Sequence, residues 1–416
     1  MGYLLLDLEL DSPVPPIALD PTQDGVGVLV RRSGLPIAWF MRQLPVGAAL
    51  TSDELSRLVV MEAGEAIIRR ALGRTLHDYR PAGVTSCPAS TRLPAQSMTI
   101  AVCTRDRPLG LARLLDSLVA LSETAEETKL ELIVVDNASV DRSIRDIASA
   151  HGAKYVREPR PGLDFARNRA AQEATGDWLV FFDDDVVVDR GWLTGFRAML
   201  VGHPDAAAVT GPVVPFALDT AAQVLFERRG GFRTCFDRTR FQGVDPMDLT
   251  YPSGGAVFGT GANMAIRTDV LAALGGFDEA LDTGPPLPGG GDLDLFQRVV
   301  RAEHVLVLEP TCLVFHEHRR EMVALCRQLG RSWGMGYAAA WSKAYRTDPG
   351  LRPRLRRSLS RWCYDLARRL AHDVLRPDAG SMPLVTLAEF GGALVGLAGG
   401  YSRSQRRSEA IRRRHR

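Results

Sequence analysis

Four short strand-like runs alternate with predicted helices between residues 98 and 185, and this alternation limits the possible folds more than any other feature. The runs lie at residues 99–103, 132–135, 154–157 and 178–182. Helices are predicted between them, over 109–121, from about Asp141, and over 165–174. Strands that alternate with helices in this way form a parallel sheet with helices on both faces. The sequence therefore predicts an α/β fold with a doubly wound, mostly parallel sheet.

Polar or charged residues follow each of these strands, at the edge where such sheets bind their ligands. In strand order they are Thr104, Arg105 and Asp106, then Asp136, then Arg157, and finally Asp183, Asp184 and Asp185. Three adjacent carboxylates repel one another and are costly at a strand end unless a cation lies among them. Alternate residues face the same side, so Asp183 and Asp185 are candidate ligands of one divalent ion. A solvated acidic turn is the alternative.

The chain on either side of this region has a different character. A Ser33-Gly34 turn predicts a β-hairpin, Thr51 and Glu54 form a capping-box pattern, and residues 80–96 have the composition of a linker. We therefore predict three parts: an N-terminal accessory α+β unit with its linker (1–95), the α/β domain (96–320) and a helical C-terminal extension with an Arg-rich tail (321–416).

Composition and charge bear on the location and partners of the chain. Six cysteines are scattered without paired spacing, which predicts reduced thiols in the cytoplasm. The N-terminus lacks a leader pattern, and the apolar residues 383–401 are too interrupted, by Glu389 and five glycines, to predict a membrane span. The seven arginines of residues 403–416 are either a solvated end or a site of peripheral attraction to anionic lipid at the inner face of the membrane. No basic stripe with interleaved aromatic residues accompanies them, which argues against nucleic acid.

Six motifs occur in order across residues 97–320. They lie at residues 102–108, 134–139, 161–168, 183–185, 259–264 and 289–298. As an ordered set they resemble family 2 glycosyltransferases, the inverting enzymes with a nucleotide-binding GT-A fold. The three aspartates resemble the DxD motif of that family. The first ninety-odd residues and the last ninety lie outside the resemblance.

The resemblance implies a role for each candidate residue. Those expected to contact the nucleotide-sugar donor are Thr104, Arg105, Asp136, Arg167, Asn168, Asp183 and Asp184. Asp292 stands at the position of the catalytic base, although the glutamate that usually precedes it is absent. Mn²⁺ or Mg²⁺ suits carboxylate ligands, and an imidazole tilts the preference towards Mn²⁺. The expected metal ligands are Asp183, Asp185 and His316.

Structural roles are the alternatives for several of these residues. Asp292 has the position of an N-cap for a helix over 293–302. His316 is otherwise a hydrogen-bonded histidine at a strand end, and His318 ranks behind it as a ligand. Two further predictions concern neighbours of the site: an Asp294–Arg298 pair, and Asp106 as the cap of a helix that begins near Pro108.

The function implied is inverting, metal-dependent transfer of a sugar from a nucleotide-diphosphate donor to a hydroxyl of a glycan, lipid, peptide or small-molecule acceptor. Gln328, Arg331 and Trp333 miss the signature of processive synthases by one position, so the predicted transfer is non-processive. A non-catalytic nucleotide-sugar-binding or scaffold protein is one alternative, favoured by the missing glutamate. A nucleotidyltransferase is another, and the absence of glycine from residues 104–108 argues against it.

Overall fold

The described part of the chain combines a large central sheet, a small N-terminal sheet and a helical C-terminal region. The computed structural model describes residues 1–78, 96–122, 129–232, 235–243, 257–284, 287–375 and 383–415. Its strands are β1 (Gly2–Glu9), β2 (Ile17–Ala18), β3 (Gln23–Arg32), β4 (Leu35–Gln43), β5 (Ala49–Leu50), β6 (Met98–Thr104), β7 (Leu130–Asn137), β8 (Lys154–Glu158), β9 (Trp178–Asp183), β10 (Val186–Val188), β11 (Ala206–Thr210), β12 (Val213–Pro215), β13 (Thr239–Phe241), β14 (Asn263–Arg267), β15 (Val305–Leu308) and β16 (Val314–His316).

The helices of the described segments concentrate towards the C-terminus. They are α1 (Ser52–Asp78), α2 (Pro108–Ser122), α3 (Ser143–Ala150), α4 (Leu163–Glu173), α5 (Trp192–Gly202), α6 (Ala221–Arg228), α7 (Thr268–Ala273), α8 (Gly291–Arg301), α9 (Met322–Arg327), α10 (Gly336–Thr347), α11 (Arg352–Leu375), α12 (Pro383–Val395) and α13 (Tyr401–Arg414). Two π-helical segments, Gln328–Met335 and Gly396–Gly400, and a 3₁₀ turn, Pro349–Leu351, connect the last of them.

The central sheet has the strand order β13-β15-β11-β14-β9-β6-β7-β8. Strand β6 pairs in parallel with β7 and β9, and β7 pairs in parallel with β8. The register sets Thr104 opposite Asp136 and Cys103 opposite Asp183, so the polar strand ends meet at one edge. The predicted α/β class with a mostly parallel sheet is confirmed.

The far half of the sheet is mixed, which the strand–helix alternation did not predict. Strand β14 runs antiparallel to both β9 and β11, and β13 runs antiparallel to β15. A second sheet of order β10-β16-β12 sets His316 directly opposite Val186, the residue after the three aspartates. The fold thus brings residues 130 positions apart in the sequence to the same corner.

Burial on both faces explains why the parallel strands are apolar throughout. Every residue of β6 is buried, and Leu111, Leu114 and Leu115 of α2 pack on one face of the sheet. Ala166 and Ala170 of α4 pack on the other face, where small side chains let the helix approach closely. The five cysteines in the described segments are all free thiols.

The N-terminal residues form a three-stranded sheet, β1-β3-β4, with α1 packed on it. The predicted hairpin is confirmed, since β3 and β4 pair antiparallel around Ser33-Gly34. The capping box is confirmed too, because the backbone N–H of Thr51 donates to Glu54 and that of Glu54 donates back to the threonine hydroxyl. The other face of this sheet packs on β12 and β16 through Leu29 and Trp39. Most of the predicted linker, residues 80–95, lies outside the described residues.

The C-terminal helices pack against one another at backbone contact. A Cβ atom on Gly392 of α12 would lie 1.7 Å from the carbonyl oxygen of Gly330, and one on Gly289 would lie 2.3 Å from that of Ser332. Only glycine permits such approaches. The C-terminal extension is therefore fitted closely to the loop that precedes α8.

By length and composition alone, one helical stretch of the described chain, Pro383–Arg414, is sufficient to cross a membrane. One third of its most apolar window is buried within the protein (33%). Its path is broken at Ala398 and Gly399, whose backbone angles are not helical. The uninterrupted α12 has 13 residues, about 20 Å at 1.5 Å per residue, which falls short of the roughly 30 Å apolar core of a bilayer.

Candidate active site

A cavity of about 570 Å³ opens at the carboxyl edge of the parallel strands. Its wall combines residues of the central sheet region with residues of the C-terminal helices. Among them are Thr104, Arg105, Arg107, Arg167, Asp183, Asp184, Asp185, Asp282, Asp292, His316, Arg319, Gln328, Ser332, Trp333, Tyr337, Trp362 and Glu389.

The guanidinium group of Arg107 neutralises Asp184 and Asp185, a role that the sequence motifs did not predict. Arg107, which precedes α2, donates to Asp184 and to Asp185 at 2.8 Å each. The Thr104 hydroxyl also donates to Asp184, at 2.7 Å. Asp184 is thus tied to the end of the first parallel strand and is buried, whereas its predicted role was contact with the donor. Two basic residues in the loop after β6, Arg105 and Arg107, were the available signal in the sequence.

The other two aspartates differ in their readiness to ionise. Burial opposes ionisation of Asp185, but His316, Arg107 and Arg319 outweigh it and hold the pKa of this carboxyl well below its ordinary value. Withdrawal from water inside the cavity raises the pKa of Asp183 to about 6, against the opposing effect of Arg167. The corner therefore pairs one firmly ionised carboxylate with one that is easily protonated.

Arg167 is the buried centre of a group of carboxylates. Its guanidinium donates to Asp164 at 3.1 Å and lies 3.8 Å from Asp183 and 3.7 Å from Asp282. Burial raises the pKa of Asp164 well above its usual range and that of Asp282 to about 6. One cation among this many acids leaves the group short of positive charge. Arg167, which was predicted to contact the donor, lines the cavity, while Asp164 and Asp282 were not foreseen.

Asp292 faces the cavity from the first turn of α8. The helix begins at Gly291 and its N-cap is Gly290, so the predicted N-cap role of Asp292 is wrong. One carboxylate oxygen accepts the backbone N–H of Gly261 at 2.8 Å, which joins the glycine loop to the candidate base. The glycine at the cap has a left-handed backbone, φ 99°, which redirects the chain into the helix.

Of the two structural roles predicted for residues beside the site, one is confirmed and the other is wrong. The Asp294–Arg298 pair is confirmed at 2.8 Å. Asp106 does not cap the helix that begins at Pro108; its carboxylate accepts the backbone N–H groups of Val140 and Asp141 instead. Its own backbone is left-handed, φ 54°, which turns the side chain towards that neighbouring loop.

Two predicted donor-binding residues are not part of the cavity wall within the described structure. Asp136 is buried and accepts hydrogen bonds from Tyr155, Arg157 and the backbone of Ser139. Asn168 donates to the carbonyl oxygen of Phe277 and accepts its N–H. Their hydrogen-bonding capacity is used inside the protein, so they hold loops of the site in place.

His316 belongs to a buried chain of polar groups. Its Nε2 atom lies 3.3 Å from Asp185, and its Nδ1 atom lies 2.9 Å from Nδ1 of His318. The Nε2 atom of His318 lies 2.8 Å from Glu227, whose other oxygen accepts the indole N–H of Trp39 at 3.2 Å. His318 is therefore a partner of His316 and faces away from the acidic corner.

The acidic corner fits a partial set of ligands for a divalent ion. Within the described segments, no three carboxylate, histidine or cysteine side chains converge into a complete metal site. Two ligands at about 2.1 Å from one ion and at right angles to each other lie about 3 Å apart, which the 3.3 Å between Asp185 and His316 approaches. Mg²⁺ and its analogues usually keep several positions for water and phosphate. The donor set therefore suits an ion that a diphosphate helps to bind.

Comparison with known proteins gives consistent results. The family model described as glycosyl transferase family 2 matches residues 99–274. The succinoglycan biosynthesis protein ExoM of Rhizobium meliloti is 30% identical over 245 residues, which are 56% of this chain and 72% of that protein. The pre-mycofactocin glycosyltransferase of Mycobacterium tuberculosis is 26% identical over 290 residues, 68% of this chain, and the match spans about half of its length (54%).

The solved structures found are more distant. A mannosyltransferase from Pyrobaculum calidifontis, in complex with GDP-Man and Mn²⁺, is 20% identical, and the match covers 85% of this chain and 94% of that one with a TM-score of 0.46. Glucosyl-3-phosphoglycerate synthase from Mycobacterium tuberculosis is 17% identical, with coverage of 59% and 79% and a TM-score of 0.40.

Proposed function

The chain belongs to glycosyltransferase family 2, and on that premise we propose that it transfers one sugar, with inversion, from a nucleotide-diphosphate donor to a hydroxyl of its acceptor. The observation that carries the proposal is the shared cavity: the aspartates at the end of β9 and Asp292 at the start of α8 line the same space. A leaving diphosphate and an attacking hydroxyl need such groups on either side of one sugar.

The donor side of the reaction rests on Asp183, Asp185 and His316. A divalent ion bound by these residues would supply charge neutralisation for the departing diphosphate. Arg107 and Arg319 keep Asp185 ionised, because both guanidinium groups lie beside its carboxylate. The negative charge of the Asp185 carboxylate is therefore present before the donor binds.

The acceptor side rests on Asp292, which we assign as the base. Its carboxylate accepts the proton of the attacking hydroxyl as the new glycosidic bond forms, and the sugar–phosphate bond breaks on the opposite face. The Gly261 N–H fixes one oxygen of the carboxylate, and the first turn of α8 fixes the backbone. A positioned base of this kind contributes about 10²- to 10⁴-fold to the rate.

The C-terminal helices supply the acceptor-facing wall. The indole N–H of the buried Trp362 has no hydrogen-bond partner within the described structure. Glu389 is 5% exposed and meets Arg369 only at 3.3 and 3.4 Å. A hydroxyl group donates and accepts, so it can satisfy both the N–H and the carboxylate, which an aliphatic chain cannot. These groups, among the rings of Trp333 and Tyr337, support a hydroxylated ring as the acceptor.

The test is transfer from a panel of radiolabelled nucleotide sugars to glycoside acceptors with Mn²⁺ present. We expect Asp292→Asn to lower the rate about 10²- to 10⁴-fold and to leave donor affinity by calorimetry unchanged. Asp205→Asn, on the surface, is the matched control. Trp362→Phe keeps the ring but removes the N–H, so it should raise the KM for the acceptor and leave donor binding intact. Product with the donor's own anomeric configuration by NMR would contradict inversion.

A non-catalytic nucleotide-sugar-binding protein is the competing function, because Gly291 stands where the family usually has glutamate. The same panel separates the two functions. Donor binding without turnover for any acceptor would favour the non-catalytic protein, and turnover that depends on Asp292 would exclude it.

A further inference from the structure

We propose that the N-terminal unit sets the orientation of the metal ligand His316 through a hydrogen-bonded relay of Trp39, Glu227, His318 and His316. The proposal rests on the proposed function, since it assumes that His316 binds the ion. It assigns positioning roles to Trp39, Glu227 and His318, which lie outside the acidic corner.

The relay is continuous and removed from water. The indole N–H of Trp39 in β4 donates to one oxygen of Glu227 at 3.2 Å, and the other oxygen lies 2.8 Å from Nε2 of His318. The two histidines meet at 2.9 Å through their Nδ1 atoms. The two imidazoles are 2% and 4% exposed, and the Glu227 side chain is 5% exposed. Polar groups this deeply buried are held to the partners they have.

The donor and acceptor pattern of the relay fixes the tautomer of His316. Both oxygens of the Glu227 carboxylate are placed to accept hydrogen bonds, so Nε2 of His318 carries the hydrogen of that contact. In neutral His318 the Nδ1 atom then accepts, and the hydrogen between the two rings belongs to Nδ1 of His316. The Nε2 atom of His316 then faces Asp185, where a metal would take the place of the hydrogen bond between ring and carboxylate. A hydrogen bond held at the other ring nitrogen, here Nδ1, is a common way to orient a metal-binding imidazole.

Packing prevents the relay from rearranging. Phe232 stands edge-on to the His316 ring, and Phe226 stands edge-on to that of His318, each at 4.7 Å between centroids. Gly231 has a left-handed backbone, φ 46°, and a Cβ there would lie 2.2 Å from the Glu227 oxygen that meets His318. A side chain at this position would push the carboxylate out of the relay.

The Trp39 side chain connects the N-terminal sheet to the polar groups behind the acidic corner. The Trp39 ring packs against the cluster of Leu29, Val214 and Leu313, on which Phe315, the neighbour of His316 in β16, also packs. It packs as well against the cluster that contains Leu218 and Val224. An ion pair between Arg31 and Asp189, at 2.5 Å, holds the same face of the sheet to the strand region that follows β10. The unit is therefore anchored on both sides of the strand that carries the ligand.

Glu227→Gln tests the relay with little change in shape. Both oxygens of Glu227 accept hydrogen bonds, and glutamine has one acceptor, so either Trp39 or His318 would face an amide NH₂. We expect Mn²⁺ to bind about 10- to 100-fold more weakly in this variant, as measured by electron paramagnetic resonance of the free ion without nucleotide. Trp39→Phe, which removes only the N–H, should weaken binding in the same direction and by less.

Matched controls lie elsewhere in the fold. Glu131→Gln removes a carboxylate that also accepts two partners, Thr99 and Thr175, at the opposite end of the sheet. Trp341→Phe removes an indole N–H that donates to Leu355 in the C-terminal helices. Both should keep the Mn²⁺ affinity of the parent protein.

A second readout does not depend on the ion. Long-range ¹H–¹⁵N NMR of the metal-free protein should show the hydrogen on Nδ1 of His316 in the parent and a mixture of tautomers in Glu227→Gln. Equal Mn²⁺ affinity and equal tautomers in the folded variant would overturn the relay and leave the proposed function standing. Failure of the parent protein to bind Mn²⁺ both without and with a nucleoside diphosphate would overturn both.

Discussion

At the scale of single residues, the three consecutive aspartates have three different environments. Asp184 is held by Thr104 and Arg107, Asp185 is kept ionised by its basic neighbours, and Asp183 has a pKa raised to about 6. Strand β9 ends at Asp183, and Asp184 and Asp185 form the turn before β10, so the three side chains point in different directions. The three environments within the motif follow from this change from strand to turn.

The carboxylates around Arg167 predict an unusual dependence of stability on pH. Burial raises the pKa of Asp282 from 3.8 to about 6, with Asp292 adding to the shift and Arg167 opposing it. The folded state then binds more protons than the unfolded state between about pH 4 and 6, so the free energy of unfolding falls as pH rises through this window. Asp282→Asn should reduce the fall between pH 5 and 7.5 by about 1.4 kcal/mol, measured by urea denaturation.

Asp269 offers a control of opposite sign. It is an exposed residue whose pKa is lowered, chiefly by a hydrogen bond from Arg267, so it stabilises the fold above its ordinary pKa and loses that effect in acid. Asp269→Asn should leave the change between pH 5 and 7.5 as it is. An unchanged pH profile in Asp282→Asn would contradict the assignment.

What the sequence could predict at this scale depends on how local each interaction is. Asp183, Asp185 and Asp292 lie in short motifs, and their positions in the cavity follow from strand ends and a helix start. The partnership of Glu227 with His318 joins positions 91 apart and crosses between elements that no periodicity links. Such contacts come from tertiary packing, so residue patterns alone do not reveal them.

At the scale of elements, the parallel strands and their helices were predictable because each apolar run has a length and period typical of one structure. The antiparallel insertion of β14 was not, since it enters the sheet some 80 residues after β9 and its apolar residues fit either direction. The π-helical segment Gln328–Met335 was also missed. It lies where Gly330 and Gly334 pack on α12, and local composition does not distinguish it from an α-helix.

The close contact of Gly392 in α12 with the π-helical segment predicts that an alanine at this position destabilises the protein, whereas one at the neighbouring position does not. In Gly392→Ala the new Cβ would lie 1.7 Å from the carbonyl oxygen of Gly330, so the two elements must separate. We expect a loss of about 1–3 kcal/mol in the free energy of unfolding and a raised KM for the acceptor, because Ser332 and Trp333 of that segment line the cavity.

The neighbouring glycine provides the control for this prediction. Gly391 has no atom within 4 Å of its Cβ position, so Gly391→Ala should be neutral or stabilise the helix by up to about 1 kcal/mol. Both variants are measured by thermal unfolding and by acceptor kinetics. Equal behaviour of the two would show that close helix approach does not limit this region.

At the scale of the whole molecule, the flanking parts of the chain complete the cavity of the central part. The N-terminal unit approaches the acidic corner through Trp39, and the C-terminal helices supply Trp333, Tyr337 and Trp362 to the wall. The family match ends at residue 274, so these contributions come from outside it. The three-part division of the chain remains a proposal, and limited proteolysis is its direct test.

The exposed leucines of α12 lead us to predict that the protein binds to the surface of a membrane. Leu384, Leu387 and Leu394 are exposed, and the next helix, α13, carries arginines on its exposed positions. Apolar side chains beside positive charge suit an anionic bilayer surface. We therefore expect the protein to cosediment with phosphatidylglycerol vesicles at low salt and less so with phosphatidylcholine.

Paired substitutions distinguish vesicle binding through α12 from nonspecific binding by exposed apolar residues. Leu384→Glu with Leu387→Glu should weaken vesicle binding about tenfold or more, since each leucine loses apolar burial. Val60→Glu with Met61→Glu, on an exposed part of α1, should not change it. Equal binding by both double variants, or none by the parent protein, would exclude α12 as the docking surface.

The indole that connects the N-terminal sheet to the cation corner has a practical consequence for anyone who trims this chain. A fragment without residues 1–95 would keep every acidic ligand and the base, yet would lose the anchor of the imidazole. We expect this fragment to need a far higher Mn²⁺ concentration for the same turnover rate. Its preference among nucleotide sugars should stay the same. Replacement of the N-terminal unit would therefore change the Mn²⁺ concentration that the enzyme needs and leave its preference among sugar donors unchanged.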